Sequence, residues 1–86
     1  MLVFHTSALD SRDDGDIIAE RYRKVRLKCL HLASRILRDQ ALAEDALHDA
    51  FASVIAHREK YQTLPEEDFF RVIAVIVKSK CFDILR

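Results

Sequence analysis

Tryptophan is absent from this 86-residue chain, and glycine and proline occur once each, as Gly15 and Pro65. Glycine and proline punctuate turns and strand ends, so their scarcity argues against a many-stranded sheet and for helices joined by short connections. A single glycine also leaves no Gly-rich phosphate loop. The only cysteines are Cys29 and Cys81, without a CxxC pair or a Cys/His quartet. Both sit among apolar residues, the setting of buried free thiols in a reducing compartment. The apolar run at residues 72–77 is far too short to span a bilayer, and no basic segment followed by a long apolar one opens the chain. A soluble, cytoplasmic protein without a membrane partner is the expectation.

The composition is 50% hydrophobic and 33% charged with a net charge of zero, too apolar and too neutral for a disordered chain. A chain of this length forms one small domain, burying roughly 60% of the surface its unfolded form exposes. The neutrality hides a division. Residues 1–38 carry eight Lys/Arg against five Asp/Glu, giving +3. Residues 39–70 carry two against eight, giving −6, and residues 71–86 carry four against one, giving +3. An acidic middle between basic ends fits two different partners, although alternating charge also occurs on ordinary solvated surfaces.

The apolar pattern sets out three helices. Residues 1–15 are polar without a sustained period and read as an N-terminal arm, with room for one helical turn and with Phe4 available to dock on the core. A helix should begin near Asp16 or Ile17, capped by Asp14 or Asp16, and stop near Arg38. Within it Ile18, Tyr22, Val25, Cys29, Leu32 and Ile36 recur at spacings of three and four, which makes one continuous stripe. The second helix runs from about Gln40 to His57 with Asp39 as its cap. Its inner face is Ala43, Leu47, Ala50, Phe51 and Val54; Glu44, Asp45, His48 and Asp49 lie opposite. Residues 58–63 form a connection. Thr63 and Glu66 then stand at capping-box spacing, with Pro65 in the first turn of a third helix that continues to the end. The β-branched run at 72–77 has a strand's local propensity. The capping signal, the lack of a second strand and the stripe of Phe69, Ile73, Val77, Cys81 and Ile84 favour a helix. The fold class is therefore all-α, a compact bundle of three long helices over residues 16–86.

Candidate chemistry is sparse. Glu44 and Asp45 stand four and three residues before His48, but a dinuclear carboxylate bundle uses such a motif twice and adds further inward carboxylates. No serine or cysteine nucleophile has a histidine base with an orienting group. The chain is expected to be neither an enzyme nor a metal or cofactor protein. Arg71, Lys78, Ser79, Lys80 and Arg86 make the C-terminal helix basic, as a phosphate-contacting face or a solvated one would be. For the acidic residues of the second helix, the helix dipole alone favours their place towards its N-terminal half.

Two separated stretches carry a resemblance. Ala43-Glu44-Asp45 followed by His48, Asp49 and Phe51 resembles the second helix of conserved region 2 in bacterial sigma factors of the ECF type, the promoter-specificity subunits of RNA polymerase. That helix usually reads Ala-Glu-Asp, two apolar residues, Gln-Glu, one more residue and Phe; here His48 and Asp49 replace Gln-Glu. Independently, Ile76-Val77-Lys78-Ser79 with Asp83 and Arg86 resembles the family's Ile-Ala-basic-Asn segment with its later Asp and Arg. Phe69 matches an aromatic upstream, and the resemblance covers roughly residues 17–86. Val72 stands where tryptophan is usual and Ser79 where asparagine is usual. Ala74 and Val75 replace an aromatic and a basic residue, and Glu66, Glu67 and Asp68 make the preceding loop acidic.

The resemblance implies a sigma region 2-like bundle that binds RNA polymerase core and helps recognise and melt the promoter minus-ten element. Glu44, Asp45, His48 and Asp49 would face a coiled coil of the β′ subunit. Lys60, Tyr61, Arg71, Lys78, Ser79, Lys80 and Arg86 would engage the non-template DNA strand. An anti-sigma factor is a further partner in such families. A sigma factor would continue beyond Arg86 to a domain reading the minus-thirty-five element, so the chain is expected to be an excised domain or a stand-alone homologue. The alternative is a sigma-like interaction module that binds a regulatory protein and has lost its DNA function.

Overall fold

The structure, a computed structural model, describes the backbone of residues 2–86 and the side chains of residues 17–86. Four helices follow in order: α1 (Leu2–Leu37), α2 (Gln40–Ala56), α3 (Arg58–Gln62) and α4 (Glu66–Leu85). The three long helices α1, α2 and α4 pack pairwise against one another, and α3 closes one end against α1. None of the described residues forms a strand.

The core is the apolar period made solid. From α1 come Ile18, Cys29, Ala33 and Leu37, from α2 Ala43, Ala46, Leu47, Ala50 and Val54, and from α4 Phe69, Ile73, Val77 and Cys81. Burying a side chain of the size of Leu47, Val54, Phe69 or Ile73 is worth about 1.5–3 kcal/mol. The α4 members are four residues apart throughout, so one helical face takes all of them, whereas a strand would turn alternate residues outward. This is why the β-branched run at 72–77 is helical. Phe51, expected inside, is only half-buried; its ring stacks on Tyr22 with centroids 4.3 Å apart and an interplanar angle of 16°. Burial pushes the Tyr22 phenol up, and desolvation pushes the Cys29 thiol up to about 11. Desolvation also raises Cys81, so both thiols stay neutral and unreactive near pH 7.

Helix boundaries depart from expectation in three places. The helical backbone of α1 begins at Leu2, well upstream of Asp16, so neither Asp14 nor Asp16 caps it. The expected polar arm lies in this stretch; its side chains, and with them the docking of Phe4, fall outside the described residues. The connection at 58–63 contains the short helix α3, an addition to the three long helices. The Thr63–Glu66 capping box does not form. Thr63 Oγ1 donates to the Lys60 carbonyl at 3.1 Å, and Pro65 takes the cap position with φ −56° and ψ 146° without a side-chain bond. The dipole of α4 is met instead by Glu66, Glu67 and Asp68 in its first turn. Asp39 does cap α2, accepting from the Leu42 N–H at 2.9 Å.

Between α1 and α2 the chain reverses through Arg38, the described non-glycine residue with positive φ, at 55°. Its N–H donates to the Ser34 carbonyl at 2.7 Å, which ends α1 with a left-handed residue where glycine is the usual choice. The Cβ of Arg38 pays for that conformation with about 1 kcal/mol. Arg38→Gly should therefore raise the urea-unfolding free energy by up to about 1 kcal/mol, after the greater chain entropy of glycine is taken off. A destabilised variant would show that the arginine side chain holds the turn.

Candidate functional site

The outer face of α2 carries Asp45, His48, Asp49 and Ala52, all exposed; 45 and 48, 45 and 49, 48 and 52, and 49 and 52 are three or four residues apart, so they form one patch. Opposite them the buried Ala43, Ala46, Leu47 and Ala50 fix the helix's rotation. Among the described residues no cation forms a salt bridge with Asp45 or Asp49. Glu44 differs. It is half-buried, and its Oε1 accepts from Arg26 Nη2 at 2.8 Å, a clasp between α1 and α2. Beside this clasp, Tyr22, Leu47, His48 and Phe51 line a shallow groove.

The basic candidates of α3 and α4 fall into separate groups. Lys60 and Tyr61 lie in α3, with the Lys60 ammonium 5.5 Å from the centroid of the Tyr61 ring. Arg21 Nη1 donates to the Tyr61 carbonyl at 3.2 Å, tying this end of the bundle to α1. On α4, Arg71, Val75, Lys78 and Phe82 recur at spacings of four, three and four and share the exposed face. Ser79 is exposed on its flank. Lys80 is half-buried, seven residues from Ile73 and three from Val77, so it lies on the core side of α4, away from Arg71 and Lys78. Arg71 stands 3.9 Å from Asp68 and Arg86 3.2 Å from Asp83, both in exposed pairs of little strength.

Between these groups runs a row of α1 side chains: Arg21, Lys24, Lys28, His31 and Arg35. It lines two grooves against α4, one shared with Glu66, Glu67 and Phe70 and the other with Lys78 and Phe82. The floor of the second groove is Leu32 and Ile36. Lys28 places its ammonium 4.9 Å from the centroid of the Phe70 ring, and Arg21 its guanidinium 5.8 Å from that of Phe69. Lys24 Nζ bonds Glu66 Oε2 at 2.9 Å; the hydrogen bond and the lysine charge hold the Glu66 carboxyl below its ordinary value. Among the described residues, no cluster of three His, Cys, Asp or Glu side chains is placed to hold a metal ion, and no helix is long and apolar enough to cross a membrane.

The family model for sigma-70 region 2 matches residues 20–86. The chain belongs to the sigma-70 region 2 family. Region 2 is the part of a sigma factor involved in RNA polymerase binding and promoter recognition. No curated protein and no solved structure matches this chain.

In this region 2 domain the match takes in the C-terminal half of α1 and all of α2, α3 and α4, so both charged surfaces lie within it. The α1 row is the part of the candidate site that sequence reasoning missed. Its signal was present, because residues 21, 24, 28, 31 and 35 keep the same spacing of three and four as the apolar stripe beside them. Only the positions of the other helices decide that this flank borders α4 while the one bearing Arg26 borders α2.

The Arg26–Glu44 clasp is about 40% exposed at both ends, so water screens it. A double-mutant cycle with Arg26→Gln and Glu44→Gln should give a coupling below about 1 kcal/mol in chemical unfolding. A coupling above about 2 kcal/mol would make the clasp a structural requirement of the domain.

Proposed function

We propose that this domain is region 2 of an ECF-type sigma factor, a non-enzymatic specificity element working in the cytoplasm. It docks on the β′ coiled coil of core polymerase through Asp45, His48 and Asp49. The observation that carries this reading is the exposed α2 face, whose two carboxylates have no salt-bridge partner among the described residues. Carboxylates left in this state form charge-assisted hydrogen bonds with basic side chains of a partner and steer its approach. Glu44 contributes as a neighbour that positions the face through Arg26, because its own carboxylate is already engaged.

The DNA part of the reading assigns the non-template strand of the minus-ten element to the opposite side of the bundle. Lys60 and Tyr61 offer a cation and a stacking surface at one end; Arg71, Lys78, Ser79 and Arg86 offer phosphate contacts along α4. Lys80 carries less of this work because it is half-buried. A melted base needs such a surface once it leaves the stack. A second reading, an interaction module for a regulatory protein such as an anti-sigma factor, is favoured by Val75, Phe82 and Leu85. These are 64%, 50% and 58% exposed among the cations of α4, more apolar surface than phosphate contact requires.

A β′ coiled-coil fragment should capture the domain in a pull-down, and Asp45→Lys or Asp49→Lys should cut capture at least tenfold. Capture unchanged by both substitutions would remove the docking claim. With core polymerase present, fluorescence anisotropy on a single-stranded minus-ten oligonucleotide should report binding that Lys78→Glu abolishes. A lack of DNA-dependent signal at low salt would favour the interaction module.

A further inference from the structure

The groove between α1 and the start of α4 holds about 510 Å³ and is lined on one side by Arg21, Lys24 and Lys28 and on the other by Glu66 and Glu67. Three cations in a row beside an exposed aromatic-floored groove make an anion site, but its anion is built into the chain. Glu66 Oε2 sits 2.9 Å from Lys24 Nζ, the distance and donor geometry a phosphate oxygen would adopt. The dipole of α4 accounts for acids in its first turn. It does not require that the helix facing them present three cations.

We infer that Glu66, set beside Glu67, is an internal competitor for nucleic-acid phosphates, engaging Lys24 at the centre of the Arg21–Lys24–Lys28 part of the α1 row and leaving His31 and Arg35, with Lys78 of α4, open. The inference rests on the DNA reading above and adds a gate to it. The bridging side chains are 55% and 60% exposed, so the pair is screened and readily exchanged, as a gate must be. The gate also makes chemical sense of the position of Phe70. Its ring is capped by the Lys28 ammonium, and it adjoins the cations that a displaced Glu66 would release. A single strand lying in the groove would exchange the carboxylates for phosphates and meet that ring as a stacking surface. An unstructured or non-specific polyanion bound weakly elsewhere would gain nothing by opening it. In the masked state the domain therefore holds stray nucleic acid less tightly than its count of lysines and arginines implies.

The test is fluorescence anisotropy of the 86-residue chain with a labelled single-stranded oligodeoxynucleotide over a salt series. Glu66→Gln should tighten binding several-fold at low salt. It should also steepen the plot of log affinity against log salt by about 0.7 for each cation released to a phosphate. Glu20→Gln is the control, because it removes the same kind of charge from an exposed pair with Arg23. Adding Lys24→Gln to the gate variant should erase most of the gain, which a general loss of negative charge would not allow. Circular dichroism shows whether each variant is folded. Binding by the gate variant where the parent shows none also supports the gate. If the parent binds and the gate variant matches it, or gains no more than Glu20→Gln, the gate is overturned and the DNA reading stands. If none of the folded variants binds, the gate is overturned, and the DNA reading is decided by the measurement with core polymerase present.

Discussion

Ala43, Ala46 and Ala50 lie wholly buried on α2, and the rest of the molecule follows from how closely they let the other helices approach. Alanine leaves the neighbouring backbone within reach, so α1 and α4 can both rest on α2, with Leu47 and Val54 filling the remaining space. A larger side chain at any of the three positions would push a helix outward, at a typical cost of 1–3 kcal/mol. The same seam fixes the rotation of α2. With three alanines inward, Asp45, His48 and Asp49 have no direction left but outward. The acidic face is thus a consequence of core packing as much as of charge.

The second consequence is the separation of charges around a neutral chain. Cations of α1 divide between two flanks. Arg26 turns to α2 and clasps Glu44, whereas Arg21, Lys24, Lys28 and Arg35 turn to α4. The bundle is therefore acidic on the α2 side and basic on the α1–α4 side, and the two faces attract partners of opposite charge. The acids at the start of α4 interrupt the basic side over the row from Arg21 to Lys28, and Asp68 and Asp83 pair with Arg71 and Arg86 along α4.

Much of this could be read from the residue order. The α1 stripe, the α2 inner face and the four-residue spacing of Phe69, Ile73, Val77 and Cys81 follow from hydrophobic period alone, and the exposed Asp45 and Asp49 follow from being opposite. Features decided by a single dihedral or hydrogen bond could not be read this way. Thr63 had the spacing of a capping residue, but its hydroxyl is spent on the Lys60 carbonyl and Pro65 sets the cap. Arg38 gives no sign in sequence of a left-handed turn. Lys80 looked like one more member of a basic cluster until the helix phase set by Ile73 and Val77 turned it inward. The α1 row failed for a different reason, since its role depends on where another helix lies. Local pattern carries phase; it does not carry neighbours.

The central claim is that the two charged faces serve two partners in sequence, polymerase on α2 and DNA on the α1–α4 side. Hydroxyl-radical footprinting of the domain reads this directly, because His48 is exposed on one face and Phe82 on the other. With core polymerase alone, His48 should lose reactivity while Phe82 keeps it, and promoter DNA added to that complex should then protect Phe82. Protection of Phe82 by core polymerase alone, with His48 still reactive, would contradict the assignment of the faces.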